Sequence, residues 1–328
     1  MTAVSEAVTS SAMRTREATV RRFALTDTIF RAATRLSAIL VLVLLGGVAI
    51  SLIAGSWEAL SKFGFSFLTT ESWNPVTENF GALAPIYGTI VTSAIAILIA
   101  VPIGIGIAVF LTELCPRPLR RPIAIAVELL AGIPSIIYGI WGLFVFAPFL
   151  QTTVQPFIIG LFHGIPGLSS LFAGPPYGIG LLTSSLILAI MVLPFITSIT
   201  KDVFDTVPAV LKESAYGIGC TTWEVTRRVT IPYTRVGIMG GVMLGLGRAL
   251  GETMAVTFVI GNAHRISASL FAPGTTISAT IANEFTEADG DLYTSSLVSL
   301  GLILFIITFI ILALARYMLL RIDSRTGA

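Results

Sequence analysis

The chain has 328 residues, of which 55% are hydrophobic and only 12% are charged. A soluble domain has roughly 25% charged residues, so this composition excludes a water-soluble protein and indicates a membrane protein. The 20 basic and 18 acidic residues nearly cancel, which does not support nucleic-acid binding, and two cysteines and two histidines are too few for a disulfide framework or a metal site.

The N-terminal segment, residues 1–35, mixes Ser, Thr and Arg without a helical apolar face. We predict that it is a mobile, basic cytoplasmic tail. A cleaved secretory signal is the alternative, since basic residues precede an apolar run. That run is longer than the usual stretch of about 7–15 residues and no small-x-small cleavage site follows it, which disfavours a signal.

Six apolar runs are long enough to cross a bilayer, which takes about 20 helical residues. They cover residues 36–55, 87–111, 123–150, 178–199, 236–261 and 295–320. None alternates with a period of two, so they are helices and not barrel strands. The sequence predicts an all-α polytopic membrane helical bundle, with a six-helix transmembrane domain over residues 36–322 and a cytoplasmic C-terminal tail over residues 323–328.

Basic residues determine the predicted orientation. Seventeen of them lie in the two terminal segments and in the connections between spans two and three and between spans four and five, whereas only Lys62 and Arg265 lie in the alternate connections. The positive-inside rule therefore places both termini in the cytoplasm.

The third predicted span contains Glu128 and Pro134. Glu128 is near the cytoplasmic end, where its carboxylate can reach the interface, and Pro134 is expected to kink the helix. We regard both as candidates for a gating or an interfacial role. The connection that follows, residues 151–177, is apolar and rich in Gly and Pro, which fits an interfacial or re-entrant segment or a loosely packed loop.

The cytoplasmic loop 204–233 is predicted to form two short helices. Thr206 as N-cap and Pro208 in the first turn start one helix, which ends at Gly217 and Gly219. Thr221 and Glu224 form a capping box that starts the second, and Pro232 is expected to end it. Two separately capped helices on the cytoplasmic side are expected to form a compact projection that a soluble protein can bind. A loop that only re-enters the membrane would not need two capped helices.

The same loop resembles the EAA loop of ABC importer permeases, whose pattern is E-A-A-x3-G-x9-I-x-L-P. The residues at the motif positions are Glu213, Ala215, Gly219, Val229, Ile231 and Pro232. The spacing is intact, and the departures from the pattern are Ser214 for Ala, Val229 for Ile and Ile231 for Leu, all of similar size. The resemblance implies that this loop docks on an ATP-binding subunit. No glycine precedes any of the three lysines, so the chain has no Walker A phosphate loop and ATP hydrolysis is expected in a separate partner subunit.

The fifth predicted span places Arg248 near the bilayer centre and Glu252 one turn beyond it. Gly237, Gly241 and Gly245 share their helical stripe, and such a stripe lets neighbouring backbones approach closely. A charge at this depth costs about 2.5–3.5 kcal/mol, so both side chains are expected to point inward, towards a pathway or into a purely structural ion pair. A planar guanidinium suits a tetrahedral oxyanion.

Residues 128–142 together with residues 245–262 resemble the PstC family of permease subunits in bacterial phosphate importers, and the likeness extends from about Trp57 to Leu320. The resemblance implies transport of inorganic phosphate across the bacterial inner membrane, with Arg248 and Glu252 in the substrate pathway. It also implies a PstA-like permease partner, a PstB-like ATPase dimer that uses ATP and Mg, and a PstS-like phosphate-binding protein at the outer face. No cofactor or metal is expected on this chain.

Three other functions compete with this interpretation. An importer for sulfate or another oxyanion is the nearest alternative. A secondary transporter driven by an ion gradient also fits a polar pair in a bundle, but it needs no EAA loop, and no inverted repeat is detectable. An intramembrane enzyme is disfavoured because the H-E-x-x-H and G-x-S-x-G motifs are missing.

Overall fold

A computed structural model describes the backbone of residues 2–162, 164–165 and 167–324, and most of their side chains from residue 26 onward. The chain divides into two compact units, Met1–Ala54 and Gly55–Ala328. The first consists of one helix, α1 (Thr2–Gly55). Residues 2–35, predicted as a tail, are therefore helical without a break at residue 35, because they contain no Gly or Pro to interrupt the helix. The mobility of this segment stays a prediction.

The second unit begins with short elements and continues into long helices. The short ones are α2 (Trp57–Phe63), α3 (Ser66–Thr69) and an antiparallel hairpin of β1 (Trp73–Asn74) and β2 (Asn79–Phe80), in which Trp73 pairs with Phe80. Next come α4 (Leu83–Val109), extended by a π-helical turn (Phe110–Leu114), and α5 (Arg117–Ala131). A long composite helix follows, made of α6 (Ser135–Trp141), a π turn (Gly142–Phe146), α7 (Ala147–Phe149), a π turn (Leu150–Val154) and α8 (Gln155–Phe162).

The remaining elements complete the second unit. They are α9 (Leu168–Leu171), α10 (Leu181–Asp205), α11 (Ala209–Gly217), α12 (Thr222–Val225), a π turn (Thr226–Thr230), α13 (Ile231–Leu250), α14 (Met254–Ile260), α15 (Ile277–Glu284) and α16 (Asp291–Ser324). The predicted C-terminal tail begins inside α16, and its last residues, 325–328, lie outside the described part of the chain.

Six helices among the described residues are long and apolar enough to cross a membrane. They are Thr26–Gly55, Leu83–Leu114, Ser135–Phe162, Leu181–Asp205, Thr222–Leu250 and Asp291–Tyr317. The predicted all-α class with six spans is confirmed. Four of the six spans agree with the sequence-based limits within about ten residues, and the third and fifth do not.

The third span lies further along the chain than predicted. The apolar run 123–150 is interrupted at Gly132–Pro134, since a proline disfavours helical backbone at the residue before it. Glu128 therefore belongs to the separate helix α5, and Pro134 is the N-cap of α6, so the predicted kink inside a helix is wrong. Residues 151–162 continue the span, which corrects their prediction as part of a re-entrant segment or loop.

The fifth span starts and ends earlier than predicted. Pro232 does not end the second loop helix, because α12, the π turn and α13 form one continuous helix. The π turn directly before Pro232 widens the helix where a proline ring would otherwise clash with the preceding turn. At its other end the helix stops at Leu250, and Gly251–Thr253 separate it from α14.

The core of the second unit is built around α10, against which α4 and α13 pack. Fully buried side chains such as Leu188, Val192 and Ile196 line the faces that meet. Residues 261–276 fold over the N-terminal end of α10, where the backbone amide of Leu182 donates to the carbonyl of Leu270 at 2.8 Å. Because α10 also packs against α13, it supports the helix that carries Arg248.

Candidate functional site

Arg248 lies in the last turn of α13 and faces the middle of α10. The centre of its guanidinium group is 4.4 Å from the centroid of the Phe195 ring. At about 1.5 Å per residue, Phe195 is about 15 Å from the Asp205 end of α10 and about 21 Å from the Leu181 end. Arg248 thus lies beside the middle of α10, and its depth in the bilayer stays a prediction.

Among the residues that the structure describes, the charge of Arg248 has no carboxylate partner. Its Nε atom is buried without a hydrogen-bond partner. Across the described residues, no carboxylate oxygen lies within 4.0 Å of its guanidinium nitrogens. The face of Phe195 offers a cation–π contact, which accepts no hydrogen bond. The donors of Arg248 are thus available to an anion.

Glu252 is placed differently from the sequence-based expectation. It lies beyond the end of α13, so it is not one helical turn from Arg248 on the same helix. Its Oε1 atom accepts a hydrogen bond from the amide of Ala255 at 3.2 Å, in the first turn of α14. No N···O contact within 4.0 Å joins Glu252 to Arg248, and a purely structural ion pair between them is not formed.

The glycine stripe of α13 packs against α10 as predicted. A Cβ atom built on Gly237, Gly241 or Gly245 would meet side-chain carbons of α10 at 2.5, 3.0 and 2.9 Å, on Val203, Ile199 and Ile196 respectively. Contacts this short leave no room for a side chain at these positions. The stripe brings the two helices close together and directs Arg248, three residues after Gly245, to the same neighbour.

Tyr138 on α6 lies close enough to Arg248 to interact with its charge. Its hydroxyl donates to the carbonyl of Leu130 at 2.9 Å and so connects α6 to α5 across the Gly132–Pro134 break. Neither Tyr138 nor Phe195 was predicted as a site residue. Both lie in apolar runs, and nothing in the sequence around them indicates that they lie near Arg248.

Glu128 forms an ion pair at the basic end of the bundle. Its Oε1 atom is 3.2 Å from Nζ of Lys201, near the end of α10, and its side chain is half exposed. Pro134 begins α6 near this region. The structure thus brings neither Glu128 nor Pro134 into contact with Arg248, and their gating role stays a prediction.

The loop between α10 and the fifth span forms the two predicted helices. The capping box is confirmed, since Thr221 Oγ1 accepts from the amide of Glu224 while Glu224 Oε2 accepts from the amide of Thr221. The other predicted N-cap is wrong: Thr206 ends α10, and Pro208 precedes α11. Gly217 is the last residue of α11, and Gly219 has φ +91°, a conformation that favours glycine.

The motif residues of this loop fall on both helices. Glu213 and Ala215 lie on α11, where Glu213 is exposed. Gly219 lies in the turn between α11 and α12. Val229, Ile231 and Pro232 lie in the continuous helix of the fifth span. The second helix is therefore rigidly continuous with the helix that carries Arg248.

The first loop helix, α11, is attached to the second span by an ion pair. Nζ of Lys212 is 2.6 Å from Oε1 of Glu113, whose side chain is only 7% exposed. In contrast, apolar side chains on the opposite surface of the loop are exposed, by 70% at Val210, 84% at Ile218 and 65% at Trp223. Exposed apolar side chains on a loop that is firmly attached to the bundle are typical of a protein-binding surface.

A second, partly buried charge, Glu284, lies at the other end of the bundle, with 19% of its side chain exposed. Its carboxylate accepts from Trp73 Nε1 at 2.5 Å and from the Tyr293 hydroxyl at 2.7 Å, and it contacts His264 Nε2 at 2.8 Å. Burial alone would raise the pKa of Glu284, but the hydrogen bonds from His264 and Tyr293 outweigh it and lower the pKa. Sequence reasoning missed this cluster because its members come from distant parts of the chain.

Across the part of the chain that the structure describes, no three His, Cys, Asp or Glu side chains lie close enough together to hold a metal ion. Of the two predicted substrate-pathway residues, Arg248 has an Nε without a hydrogen-bond partner, and Glu252 has only one carboxylate oxygen bound by the amide of Ala255. The site therefore has the chemistry of anion binding and proton acceptance.

Known proteins resemble the chain over most of its length. A family model described as "Binding-protein-dependent transport system inner membrane component" matches residues 100–324. A Mesorhizobium japonicum protein named phosphate transport system permease protein PstC is 85% identical over the full length of both chains. Proteins of the same name from Pasteurella multocida and Haemophilus influenzae are 57% and 55% identical over 92% of this chain and 94% and 95% of theirs.

Among solved structures, the chain is similar to a bacterial ABC transporter that imports the acidic polysaccharide alginate. The TM-score is 0.58 at 18% identity, with 87% of this chain and 95% of that chain covered. The alginate transporter in complex with its periplasmic protein gives a TM-score of 0.58 at 19% identity, with 88% and 94% covered. At this identity the likeness concerns the fold alone.

Proposed function

The chain belongs to the binding-protein-dependent transport system inner membrane components and, within them, to the PstC phosphate transport permeases, and we propose that Arg248 is where it holds its substrate. It is a transport subunit and not an enzyme. The function is the movement of inorganic phosphate through the membrane as part of an ABC importer, driven by ATP hydrolysis in a partner.

The single observation that carries the assignment of Arg248 is a buried Nε that has no hydrogen-bond partner among the described residues, beside Phe195 in the middle of α10. A guanidinium can bind two oxygens of a tetrahedral anion through parallel, charge-assisted hydrogen bonds. The ring of Phe195 contacts the group and accepts no hydrogen bond from it, so the Nε–H donor stays unsatisfied. Substrate binding thus satisfies donors that the fold leaves unsatisfied.

Glu252 is proposed to act on the proton of the substrate. Ala255 occupies one of its carboxylate oxygens and leaves the second available. Phosphate near neutral pH carries a proton that a carboxylate can accept in a hydrogen bond, whereas sulfate carries none. Arg248 therefore supplies attraction to the anion, and Glu252 favours phosphate over a fully deprotonated oxyanion.

Energy is proposed to enter through the loop 204–233. The exposed surface of α11 and α12 suits docking in a PstB-like ATPase dimer, which would use ATP and Mg. Movement of this loop passes to Arg248 along the continuous helix Thr222–Leu250. On this proposal the loop and both termini face the cytoplasm, and the chain resides in the bacterial inner membrane.

Two further partners complete the proposed assembly. A PstA-like permease forms the other half of the pathway, and a PstS-like phosphate-binding protein delivers the anion to the outer face. Acidic residues cluster there in residues 284–291, next to the buried Glu284 cluster. The solved alginate ABC transporter of the same fold is in complex with a periplasmic protein.

Uptake of labelled phosphate into vesicles that contain the complete complex tests the proposal. We expect uptake that requires enclosed ATP on the ATPase side and that excess sulfate does not compete away. Uptake driven by an ion gradient without ATP would contradict the importer function. Equal competition by sulfate and phosphate would contradict the proposed role of Glu252.

A further inference from the structure

The helix α5 has the composition of an interfacial helix. It follows the second span directly, its first turns carry Arg117, Arg120 and Arg121, and its later turns carry apolar side chains. Ile125 and Leu129, one turn apart, are 46% and 68% exposed. A helix with basic residues at one end and exposed apolar residues beyond them suits the boundary between head groups and acyl chains.

A cavity of about 450 Å³ opens between α5 and the end of α10. Its charged lining consists of four basic and two acidic side chains: Arg117, Arg120, Arg121, Lys201, Glu128 and Asp205. Ala124 and Ile125 complete its wall on the side of α5. The cavity is therefore polar and basic at one end and apolar along the helix.

Two ion pairs neutralise both acidic side chains of this cavity. Arg120 contacts Asp205 at 2.5 Å, and Lys201 contacts Glu128 at 3.2 Å. Arg117 and Arg121 have no carboxylate oxygen within 4.0 Å in the part of the chain that the structure describes. The cavity thus keeps an excess of two positive charges, and the ion pairs hold its two walls together.

We propose that this cavity binds the phosphate group of an anionic phospholipid, with Arg117 and Arg121 as its ligands. Guanidinium groups bind phosphate oxygens through charge-assisted hydrogen bonds. The exposed Ile125 and Leu129 favour a lipid over free phosphate, because acyl chains attached to the same phosphate can cover them. The bound lipid fastens α5, and with it Glu128 and the start of α6, to the membrane surface.

The proposal does not depend on which anion the protein transports. It places an anionic lipid at a site distant from Arg248, since Lys201 and Asp205 lie at the end of α10 and Phe195 lies near its middle. Changes at Arg117 and Arg121 are therefore expected to alter lipid binding without removing the substrate ligand.

The test uses the complete purified complex in neutral detergent, with phosphatidylglycerol, phosphatidylcholine or inorganic phosphate added separately. Native mass spectrometry counts bound lipids, and the melting temperature follows stabilisation. We expect phosphatidylglycerol to bind and stabilise the wild type, with at least fivefold weaker binding for the double variant Arg117→Gln, Arg121→Gln. Phosphatidylcholine is expected to have little effect on either.

Arg316→Gln is the matched control, because Arg316 is an exposed basic residue of α16 outside the cavity. It is expected to bind phosphatidylglycerol like the wild type. Asp205→Asn releases Arg120 from its ion pair and is expected to tighten phosphatidylglycerol binding. Misfolding would not increase this binding, so the variant tests the site independently of folding. Equal phosphatidylglycerol binding by the double variant and the wild type would overturn the proposal. Arginine-dependent protection by inorganic phosphate but not by phosphatidylglycerol would overturn it in favour of free phosphate.

Discussion

Glu284 and Arg248 are two partly buried charges at different places in the same bundle, and their surroundings differ. Glu284 has three partners, supplied by Trp73, Tyr293 and His264. Arg248 has an aromatic ring on one face and a buried Nε without a hydrogen bond. Satisfying a buried charge stabilises a fold, whereas leaving one unsatisfied costs stability. The difference supports our proposal that Glu284 serves the structure and Arg248 serves the substrate.

The largest expected effect follows from removing the charge of Arg248. Arg248→Gln keeps the length of the side chain but loses the cation that attracts phosphate. We expect uptake per assembled complex to fall about 100-fold, which corresponds to about 2.7 kcal/mol. Labelled phosphate uptake measures this, with Arg316→Gln as the control that keeps wild-type uptake. Uptake within a factor of two of the wild type would remove Arg248 from the pathway.

The next largest effect concerns Glu284. Glu284→Ala leaves the partly buried donors of Trp73 and Tyr293 without an acceptor, and we expect a loss of about 2–2.5 kcal/mol in stability. Thermal melting of the complex measures the loss. Uptake per correctly assembled complex is expected to stay near that of the wild type. A large loss of uptake with unchanged melting would show that the two charges do not differ in role.

A smaller effect is expected at the attachment of α11. Lys212→Met leaves the nearly buried Glu113 without its partner, at a cost of about 1–2 kcal/mol because Lys212 itself is one-fifth exposed. We expect phosphate uptake to fall more than ATP hydrolysis, since α11 is then held less firmly to the second span. Lys62→Met, which breaks an exposed ion pair with Glu78, is the control. Parallel losses of uptake and hydrolysis would argue against a role in coupling.

The smallest effect is a pH dependence at Glu284. Its pKa is lower in the folded state than the ordinary value of 4.5, so the stability it contributes is present above pH 4.5 and is lost as the pH falls through the folded pKa. We expect the melting temperature of the wild type to drop more steeply below pH 4.5 than that of Glu284→Gln, which cannot titrate. Identical acid profiles would contradict this account of Glu284.

Much of the architecture was predictable from local patterns. Apolar length identified six spans, the glycine stripe predicted the close packing of α13, and the Thr221–Glu224 spacing predicted a capping box. Each of these features depends on neighbours within a few residues, or on the solvent. The isolation of Arg248 in an apolar span was equally visible in the sequence.

The errors arose where local patterns compete with each other or where distant segments meet. Hydropathy continues through Gly132–Pro134 and Gly251–Thr253, so apolar runs conceal these breaks and misplace Glu128 and Glu252. At Pro232 the opposite error occurred, because a π turn accommodates a proline that was expected to end the helix. The Glu284 cluster joins a hairpin, a loop and two helices, and no spacing within the sequence connects them.

The most direct test of the difference between the two buried charges is one melting experiment on the complete complex in phosphate-free buffer. Arg248→Met replaces an unsatisfied cation by an apolar side chain that packs well on Phe195, and Glu284→Gln removes a satisfied anion. Our account predicts a melting temperature equal to or higher than that of the wild type for Arg248→Met, together with lost phosphate uptake, and a lower melting temperature for Glu284→Gln. A melting temperature that falls as far for Arg248→Met as for Glu284→Gln would contradict it.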